Sequence, residues 1–251
     1  MEPHLYDVKY QRENLEYRTI ARRRLIGKAT QRGKILEIGC GTGSTLQYLA
    51  QFGPTFGIDS SEIALGYCRQ KGLTDVLLGS AESIQFPDNF FDTVVAIDVL
   101  EHLDQDVEAM SEVYRVLREN GRLIVIVPAF PSLWSSRDDR LHHRRRYVKR
   151  ELKSKLERVG LKVSQISYLD ACAFSPFWLT VQLKKDIKTD VASMPQWLNW
   201  LLLQFTHVEN FILTKIPVPF GISIFCVAHK GSEAGDTKAS ESRDWVLAER
   251  T

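Results

Sequence analysis

From Lys34 onward, the chain alternates short apolar runs with segments long enough to form amphipathic helices. Short apolar runs predict buried strands, and the longer segments between them predict helices. This alternation is typical of a mostly parallel, doubly wound sheet with helices on both faces, an α/β fold. The predicted strands are residues 34–39, 55–59, 75–79, 92–97, 122–128, 162–169 and 222–229.

Two of the predicted helices have recognisable end signals. Ser60 or Ser61 is expected to cap a helix that runs to Gly72, and Asp104 is expected to cap a helix that ends near residues 120–121. Serine and aspartate favour this position because their side-chain oxygens accept hydrogen bonds from the free N–H groups of a first helical turn.

The 251-residue chain divides into three predicted parts. Residues 1–33 form a basic, partly helical N-terminal extension. Residues 34–230 form the main domain, in which 170–219 are an aromatic-rich, apolar helical insertion before the last strand. Residues 231–251 are small, polar and mixed in charge, and this composition predicts a flexible tail.

Composition limits the class of protein. Hydrophobic residues at 44% and charged residues at 25% are typical of a soluble globular protein, and a net charge of +2 is too small to attract nucleic acid as a whole. The four cysteines form no C-x-x-C pair, so we expect reduced, mostly buried thiols. The first residues do not resemble a signal peptide, and no uninterrupted apolar run is long enough to span a bilayer, so a cytoplasmic location is expected.

The strongest chemical signal is the sequence EIGCGTG at 37–43, which follows the first strand and precedes a helix. Glycines at Gly39, Gly41 and Gly43 allow a tight turn and a close approach of a ligand to the backbone. The loop therefore predicts a nucleotide-like ligand, although a tight turn without a ligand is the structural alternative.

The spacing within the loop separates two kinds of ligand. A dinucleotide site has a third glycine where this chain has Ser44, and the carboxylate of Glu37 would repel a pyrophosphate. Glu37 is instead suited to accept a hydrogen bond from a cationic amino-acid group. Asp59 ends the next strand and is placed to accept both ribose hydroxyls, with a helix cap as its alternative role.

Residues 34–128 resemble the class I S-adenosylmethionine-dependent methyltransferases of the broad type 11 group. The matching stretches are KILEIGCGTGSTL, FGIDSS, GSAESIQFPDNFFDTVVAIDVLEHL and VLRENGRLIVIVP. The resemblance implies S-adenosyl-L-methionine as cofactor and a seven-stranded sheet whose last strand, residues 221–229, is antiparallel.

The resemblance also implies a set of cofactor contacts. The glycine loop would hold the methionine part, Asp59 the ribose, and Ser80, Ala81 and Glu82 would border the adenine. Ser80 departs from the family pattern, in which an acid often accepts the adenine amino group. The full predicted cofactor-binding set is Glu37, Gly39, Gly41, Gly43, Asp59, Ser60, Ser80, Ala81, Glu82 and Asp98.

The segment AIDVLEHLD supplies candidate catalytic groups just past the fourth strand. His102 is the predicted general base and Asp98 a second catalytic candidate, while a structural role for Glu101 and His102 is the alternative. On a helical turn, Asp98, Glu101 and His102 would share one face, and they resemble the acid-x-x-Glu-His group associated with a divalent ion in ubiquinone-biosynthesis O-methyltransferases. We expect no metal here, because further ligands would be needed that the sequence does not reveal.

Two basic stretches flank the predicted site. Residues 12–34 contain eight Lys and Arg against two Glu, and residues 137–150 contain seven against two Asp; solvated helix faces are the alternative reading. The second stretch contains an H-H-x-R-R-Y element that resembles one in a poorly characterised branch of the family. The predicted acceptor-binding residues are therefore His142, His143, Arg145, Arg146 and Tyr147. In the structural alternative, Arg145 and Tyr147 cap and pack a helix that starts near Val148.

An apolar stripe recurs at helical spacing within residues 174–216: Trp197, Trp200, Leu201, Phe205, Val208, Phe211 and Ile212. Ordinary core is one reading; covering an apolar acceptor, dimerisation, or peripheral contact with the inner membrane face are others. Polar interruptions argue against a membrane span.

Together these features predict an enzyme that methylates an acceptor which is both anionic and partly apolar. A lipid-linked, quinone-like or acyl compound fits this description, and no nucleic-acid partner is expected. An NAD-dependent oxidoreductase, or a cofactor-binding regulatory or scaffold subunit without turnover, are the alternatives. The acceptor atom and the oligomeric state stay open.

Overall fold

The computed structural model describes residues 16–183, 195–213, 216 and 218–231 of the chain. The strands are β1 Ile35–Ile38, β2 Thr55–Asp59, β3 Val76–Leu78, β4 Phe91–Ile97, β5 Leu117–Pro128, β6 Leu161–Leu169 and β7 Ser223–Lys230. Within the described residues they form one sheet in the order β3-β2-β1-β4-β5-β7-β6. The first five strands are parallel, and β7 runs antiparallel to both β5 and β6. The predicted fold class is confirmed.

The helices are α1 Tyr17–Ala29, α2 Ser44–Leu49, α3 Glu62–Gln70, α4 Asp106–Val116, α5 Ser136–Arg140, α6 Lys149–Arg158, α7 Phe174–Gln182 and α8 Gln196–Leu213. A 3-10 turn, Leu100–His102, follows β4, and another, Ala171–Ala173, follows β6. Helices α7 and α8 lie between β6 and β7, where a helical insertion before the last strand is predicted.

Helix α3 begins as predicted, because Ser61 occupies the cap position and its hydroxyl accepts a hydrogen bond from the Ala64 N–H at 3.4 Å. Helix α4 differs from the prediction at its start. Its cap is Gln105, and the predicted cap Asp104 pairs with Arg144 at 3.0 Å instead.

The end of α4 also differs from the prediction. The helix stops at Val116, short of residues 120–121, because Leu117 already pairs with Phe91 in the sheet. Strand β5 therefore starts five residues earlier than the predicted 122–128. Its pairing with β4 shifts register between Phe91 and Thr93, and Asn120 in this part of β5 is left-handed, with φ 61°. A short apolar helix end and a strand start look alike in sequence.

Apolar layers cover both faces of the sheet. On one face, Leu25 and Ile26 of α1 pack with Ile35, Val95 and Ile124. On the other face, α4 and α6 contribute buried side chains, among them Met110, Val113, Leu152 and Leu156. Because the faces are covered, ligands can reach the sheet at the carboxyl ends of its parallel strands, which we call the carboxyl edge.

Helix α1 lies in the predicted N-terminal extension, yet Leu25 and Ile26 are fully buried against the sheet. This helix is therefore a layer of the domain core. Residues 1–15 of the predicted extension and 232–251 of the predicted tail lie outside the described residues, and the three-part division of the chain stays a prediction.

Helix α8 exposes its apolar face and buries a polar one. Trp200 is 62% exposed and Phe205 57%, whereas Thr206 and Asn210 are buried. The buried side faces α1, where the Asn210 amide donates to the Ala21 carbonyl at 3.0 Å. The reading of the stripe as ordinary core is wrong, because α8 packs through its polar side. Among the described residues, no helix is both long and apolar enough to cross a bilayer.

Arg22 of α1 connects three points along the carboxyl edge. Its guanidinium pairs with Asp98 after β4 at 3.0 Å and with Asp170 after β6 at 2.8 Å, and it donates to the Ser223 hydroxyl at 2.7 Å. Arg18 also pairs with Asp170 at 2.8 Å. Helix α1 is thereby fixed over the ends of β4 and β6.

Asp170 is the buried partner of both arginines, with a side chain that is only 1% exposed. Burial by itself would raise the pKa of Asp170, but the charges of Arg18 and Arg22 and their hydrogen bonds hold it well below its usual range. The buried carboxylate therefore stays ionised and depends on both arginines.

We expect Asp170→Asn to lower the free energy of unfolding at pH 7 by about 3 kcal/mol, because Arg18 and the largely buried Arg22 lose the carboxylate that they share, and Arg22 keeps only Asp98. The lowered pKa means that this stabilisation is complete above the unfolded-state pKa of about 3.9 and is lost as the pH falls below it. Urea unfolding should therefore show a smaller difference between wild type and variant at pH 3 than at pH 7. Exposed Asp75, changed to Asn, is the control. A variant as stable as wild type at pH 7 would contradict the assignment.

Candidate functional site

The glycine loop between β1 and α2 requires glycine for conformational and for steric reasons. Gly39, Gly41 and Gly43 have φ values of 65°, 54° and 78°, the left-handed region that favours glycine. A side chain at Gly39 would also collide with Val99. At Gly43, a Cβ atom would lie 2.6 Å from a methyl group of Leu73.

Asp59 ties this loop to the end of β2. One carboxylate oxygen accepts the Gly41 N–H at 2.8 Å and the other accepts the Ser61 N–H at 2.9 Å. Each oxygen keeps a further acceptor site, so the predicted contact with ribose hydroxyls fits the geometry. Ser61 is the helix cap, so the alternative role predicted for Asp59 is not its role here, and neighbouring Ser60 is exposed.

The predicted adenine segment lies beside Asp59. The Gly79 N–H donates to the Asp59 backbone carbonyl at 3.0 Å, and Ser80 follows with an exposed side chain. The Ser80 hydroxyl accepts the Glu82 N–H at 3.2 Å, while Ala81 is buried. The segment predicted to border the adenine thus contains a hydroxyl, on Ser80, and a carboxylate, on Glu82.

The residues present fit the predicted cofactor. The left-handed glycine loop, the carboxylate of Asp59 and the segment 80–82 follow β1, β2 and β3 at one edge of the sheet. Hydroxyl and carboxylate acceptors suit a ligand that carries ribose hydroxyls and amino groups. Glu37 is buried near the end of β1. Its contact with the amino-acid part of the cofactor stays a prediction.

Asp98 does not share a helical turn with Glu101 and His102. Its backbone is left-handed, with φ 51°, and the 3-10 turn begins only at Leu100. The Asp98 side chain is 48% exposed and pairs with Arg22. The prediction that these three residues share one helical face is therefore wrong, because Asp98 is left-handed and lies before the turn that contains Glu101 and His102.

Glu101 and His102 lie in contrasting surroundings. Glu101 is 0% exposed, and burial, followed by the charge of Asp98, raises its pKa well above the usual range. Partial burial of the His102 ring, followed by the nearby His143, lowers the pKa of His102, so its neutral form dominates at pH 7. A neutral imidazole has a free lone pair for a proton or a metal.

Two of the five predicted acceptor-binding residues are structural. Tyr147 is 0% exposed, and its hydroxyl donates to the Asp106 carboxylate at 2.7 Å. Arg146 is buried, donating to Asp138 at 2.8 Å and to the Ala129 carbonyl at 2.9 Å. Neither side chain is free to line a pocket, so these two predictions are corrected.

Arg145 also has internal partners. It donates to the carbonyls of Leu103 and Asp104 at 2.8 and 2.9 Å, which fixes the loop before α4. Val148 occupies the cap position of α6, and Tyr147 packs in the core next to this helix start. The structural alternative is wrong for Arg145, because its guanidinium contacts the loop before α4 and does not cap α6. His142 is exposed, with a left-handed backbone.

His143 is the predicted acceptor-binding residue that meets the catalytic candidates. Its ring lies edge-on to that of His102, with centroids 4.8 Å apart. Its Nδ1 is 2.9 Å from an oxygen of buried Asp138. Asp138 also accepts hydrogen bonds from Arg146 and from the Ser135 N–H, and these contacts, chiefly to His143 and Arg146, outweigh burial and hold its pKa well below its usual range.

Sequence reasoning missed four residues that shape this edge: Arg22, Asp138, Asp170 and Arg137. A signal existed for Asp138, since Ser135 and Asp138 form a capping box at the start of α5. The pairing of Arg22 with Asp170 spans 148 residues, and no local pattern indicates it.

Arg137 in α5 is half-buried, unlike the exposed Arg150 of the same basic stretch. No described residue accepts a hydrogen bond from its guanidinium. Burial, followed by the positive charge of Arg18, lowers its pKa, and Asp98 is among its charged neighbours. An anion at this place would relieve the repulsion between the two arginines.

An apolar cavity of about 390 Å³ begins one residue beyond Asp170. Ala171 and Cys172 form one side, and Phe205, Val208 and Ile212 of α8 form another. Glu209 borders it too, and burial raises the pKa of Glu209 to about 7. A smaller cavity of about 200 Å³ lies at the opposite edge, next to Thr55 and Asp75, away from these groups.

Residues 36–125 match a family model described as a methyltransferase domain. A demethylmenaquinone methyltransferase of Symbiobacterium thermophilum is 36% identical over 108 residues, 39% of this chain and 43% of that protein. A phosphatidylethanolamine N-methyltransferase of Cereibacter sphaeroides is 34% identical over 113 residues, 42% of this chain and 56% of that protein. The chain thus spans about half the length of the curated relatives it matches.

A solved structure of a SAM-dependent methyltransferase from Archaeoglobus fulgidus shares the fold. Its TM-score is 0.58, and the superposition covers 90% of this chain and 99% of that chain at 21% sequence identity. At this identity the likeness concerns the fold.

We expect Asp59→Ala to weaken binding of S-adenosylhomocysteine, the demethylated form of the predicted cofactor, roughly tenfold or more. The reason is the loss of a charged acceptor, worth about 1.5 to 3 kcal/mol. Isothermal titration calorimetry measures the effect, and Asp75→Ala removes an exposed carboxylate elsewhere as the control. Equal affinities of wild type and Asp59→Ala would remove Asp59 from the cofactor site.

Proposed function

We propose that this chain, whose residues 36–125 match a methyltransferase domain, uses S-adenosylmethionine to methylate an amphiphilic, anionic acceptor at a membrane surface. When bound, the cofactor supplies an electrophilic methyl group, so catalysis depends mainly on aligning the acceptor in a dry site. The glycine loop, Asp59 and residues 80–82 would hold the cofactor. The groups that follow β4, β5 and β6 would hold the acceptor.

The exposed apolar face of α8 carries this proposal. Trp197, Trp200 and Phe205 are each more than half exposed, while the polar side of the same helix is buried. A large apolar side chain is less stable in water than in a buried site by about 1.5 to 3 kcal/mol. Such a face is expected where a helix lies in a lipid interface.

The charge beside α8 suits an anionic bilayer. Helix α1 packs against α8, and Arg24 contacts His207 at 2.6 Å. Arg24 and Lys28 are exposed on this side of the sheet. Basic residues near a surface of anionic lipids contribute about 1 kcal/mol each, so α1 and α8 form a basic and apolar pair of the kind that binds such surfaces.

The acceptor's two halves have matching surroundings. The apolar cavity between Ala171 and α8 has room for part of an acyl or prenyl chain. Arg137, close to Asp98 and without an acceptor among the described residues, is suited to a phosphate or carboxylate. Both features adjoin the Arg22–Asp170 pair, which lies at the carboxyl edge.

The names of the relatives support a lipid acceptor. One relative is named for phosphatidylethanolamine and another for demethylmenaquinone. The methyltransferase match gives no support to the alternative of an NAD-dependent oxidoreductase. A non-catalytic subunit differs from the proposal by the absence of methyl transfer.

We expect the protein to sediment with vesicles that contain phosphatidylglycerol and to bind vesicles of phosphatidylcholine alone less tightly. Changing Trp200 and Phe205 together to Ser should weaken this binding by at least tenfold, since each large apolar side chain contributes about 1.5 to 3 kcal/mol when buried. Leu78→Ser removes an exposed apolar side chain from β3 and is the matched control. Absence of vesicle binding by wild type, or equal loss in the control, would refute membrane contact through α8.

Arg137→Gln should weaken binding of dihexanoyl phosphatidic acid about tenfold, because a charged hydrogen bond to the phosphate is lost. Calorimetry on monomeric lipid measures this without a bilayer. Arg150→Gln makes the same charge change at an exposed position of α6 and should leave the affinity unchanged. If both variants bind like wild type, the second basic stretch consists of structural and solvated residues.

A further inference from the structure

We propose that Glu101, His102 and His143 form a binding site for one divalent transition-metal ion. Glu101 and His102 belong to the 3-10 turn after β4, and His143 belongs to the loop after α5. One carboxylate oxygen and one ring nitrogen from each histidine lie within 4.8 Å of one another. Ligand atoms around such an ion lie about 3 to 4 Å apart, so small side-chain rotations complete the set.

The first support is the state of the Glu101 carboxylate. It is fully buried, and among the described residues neither of its oxygens accepts a hydrogen bond. A buried carboxyl group without a hydrogen-bond partner is costly even when it is protonated, and native proteins rarely keep one without a function. A cation between Glu101 and the two imidazoles provides the missing partner.

The second support is the orientation of His143. Buried Asp138 lies 2.9 Å from Nδ1, so the Nδ1–H group donates a hydrogen bond to the carboxylate. The Nε2 lone pair is then free for a metal. A carboxylate behind a histidine is the usual outer contact of metal-binding imidazoles, because it fixes both tautomer and ring direction.

The backbone holds the two ligand segments together. The Arg144 N–H, next to His143, donates to the Glu101 carbonyl at 2.7 Å. This bond fixes the distance between the turn after β4 and the loop after α5. The ligand set thus comes from two segments more than forty positions apart that are joined independently of any ion.

Two arginines near Glu101 have to be considered, since positive charge opposes a cation. Arg22 and Arg146 are both close enough to lower the pKa of Glu101. Each is engaged elsewhere: Arg22 pairs with Asp98 and Asp170, and Arg146 pairs with Asp138. Their charges are balanced by these carboxylates.

The ligand types select the kind of ion. Two imidazoles and one carboxylate suit Zn²⁺, Mn²⁺ or Fe²⁺, whereas Mg²⁺ and Ca²⁺ prefer oxygen ligands. Three protein ligands leave a position open, as in catalytic zinc sites. In the proposed set, His143 takes the place that Asp98 has in the predicted trio. The proposal departs from the expectation of no metal, and it makes His102 a ligand in place of a general base.

The test uses the full chain carrying Cys172→Ser, because an exposed thiol is itself able to bind zinc and would compete with the proposed site. After treatment with EDTA and dialysis, calorimetry with Zn²⁺ should show one site per chain. Glu101→Gln should weaken binding at least tenfold, and Glu101 has no hydrogen bond among the described residues that this change would break. His142→Ala alters the exposed neighbouring histidine and should leave the affinity unchanged.

X-ray absorption of the zinc-loaded chain gives a readout that needs no Glu101 or His143 variant. Two imidazole nitrogens with the remaining ligands oxygen are expected. Absence of saturable binding, sulfur ligation, or equal affinity of Glu101→Gln and wild type would overturn the proposal. Because no readout involves methyl transfer or lipid, its failure is distinct from failure of the proposed function.

Discussion

The buried ion pair of Arg22 and Asp170 holds together the half of the carboxyl edge that is formed by the ends of β4, β6 and β7. It joins α1 to the end of β6, and the second arm of Arg22 reaches Asp98 after β4. Helix α8 in turn packs on α1 through Asn210 and Asn199, so its position follows from that of α1. Since Asp170 is nearly inaccessible to water, neither partner can be lost without leaving a buried charge. The apolar face of α8 and the cavity beside it are therefore placed by an electrostatic contact at the sheet edge.

The same edge separates two kinds of chemistry. The loops after β1, β2 and β3 present left-handed glycines and the Asp59 carboxylate, which fit the predicted contacts with the cofactor. The segments after β4, β5 and β6 present imidazoles, an arginine and aromatic surface. Asp138 organises the second group, because it holds both His143 and Arg146. In the function that we propose, the first group of residues holds the cofactor and the second group binds the acceptor.

Local patterns in the sequence predicted the sheet and the glycine loop because strand periodicity and glycine spacing are local properties. Where several local rules agree, as at EIGCGTG and Asp59, the structure places the residues as expected. Contacts between distant segments were not predictable: Tyr147 was expected in a pocket, but its partner Asp106 lies 41 positions away and draws it into the core. The stripe on α8 has helical spacing, yet spacing alone cannot indicate whether an apolar face turns inward or outward. Asp98 shows a further limit, since its left-handed backbone breaks the helical spacing that linked it to Glu101 and His102.

We propose that the domain transfers methyl groups to an amphiphile. Incubating the protein with S-adenosylmethionine bearing a tritiated methyl group and a whole-cell extract, followed by partition between organic and aqueous phases, tests it directly. Label is expected in the organic phase as a discrete lipid product, and protein carrying Asp59→Ala is expected to give much less of it. Label confined to water-soluble products, or no transfer at all, would contradict methyl transfer to an amphiphile.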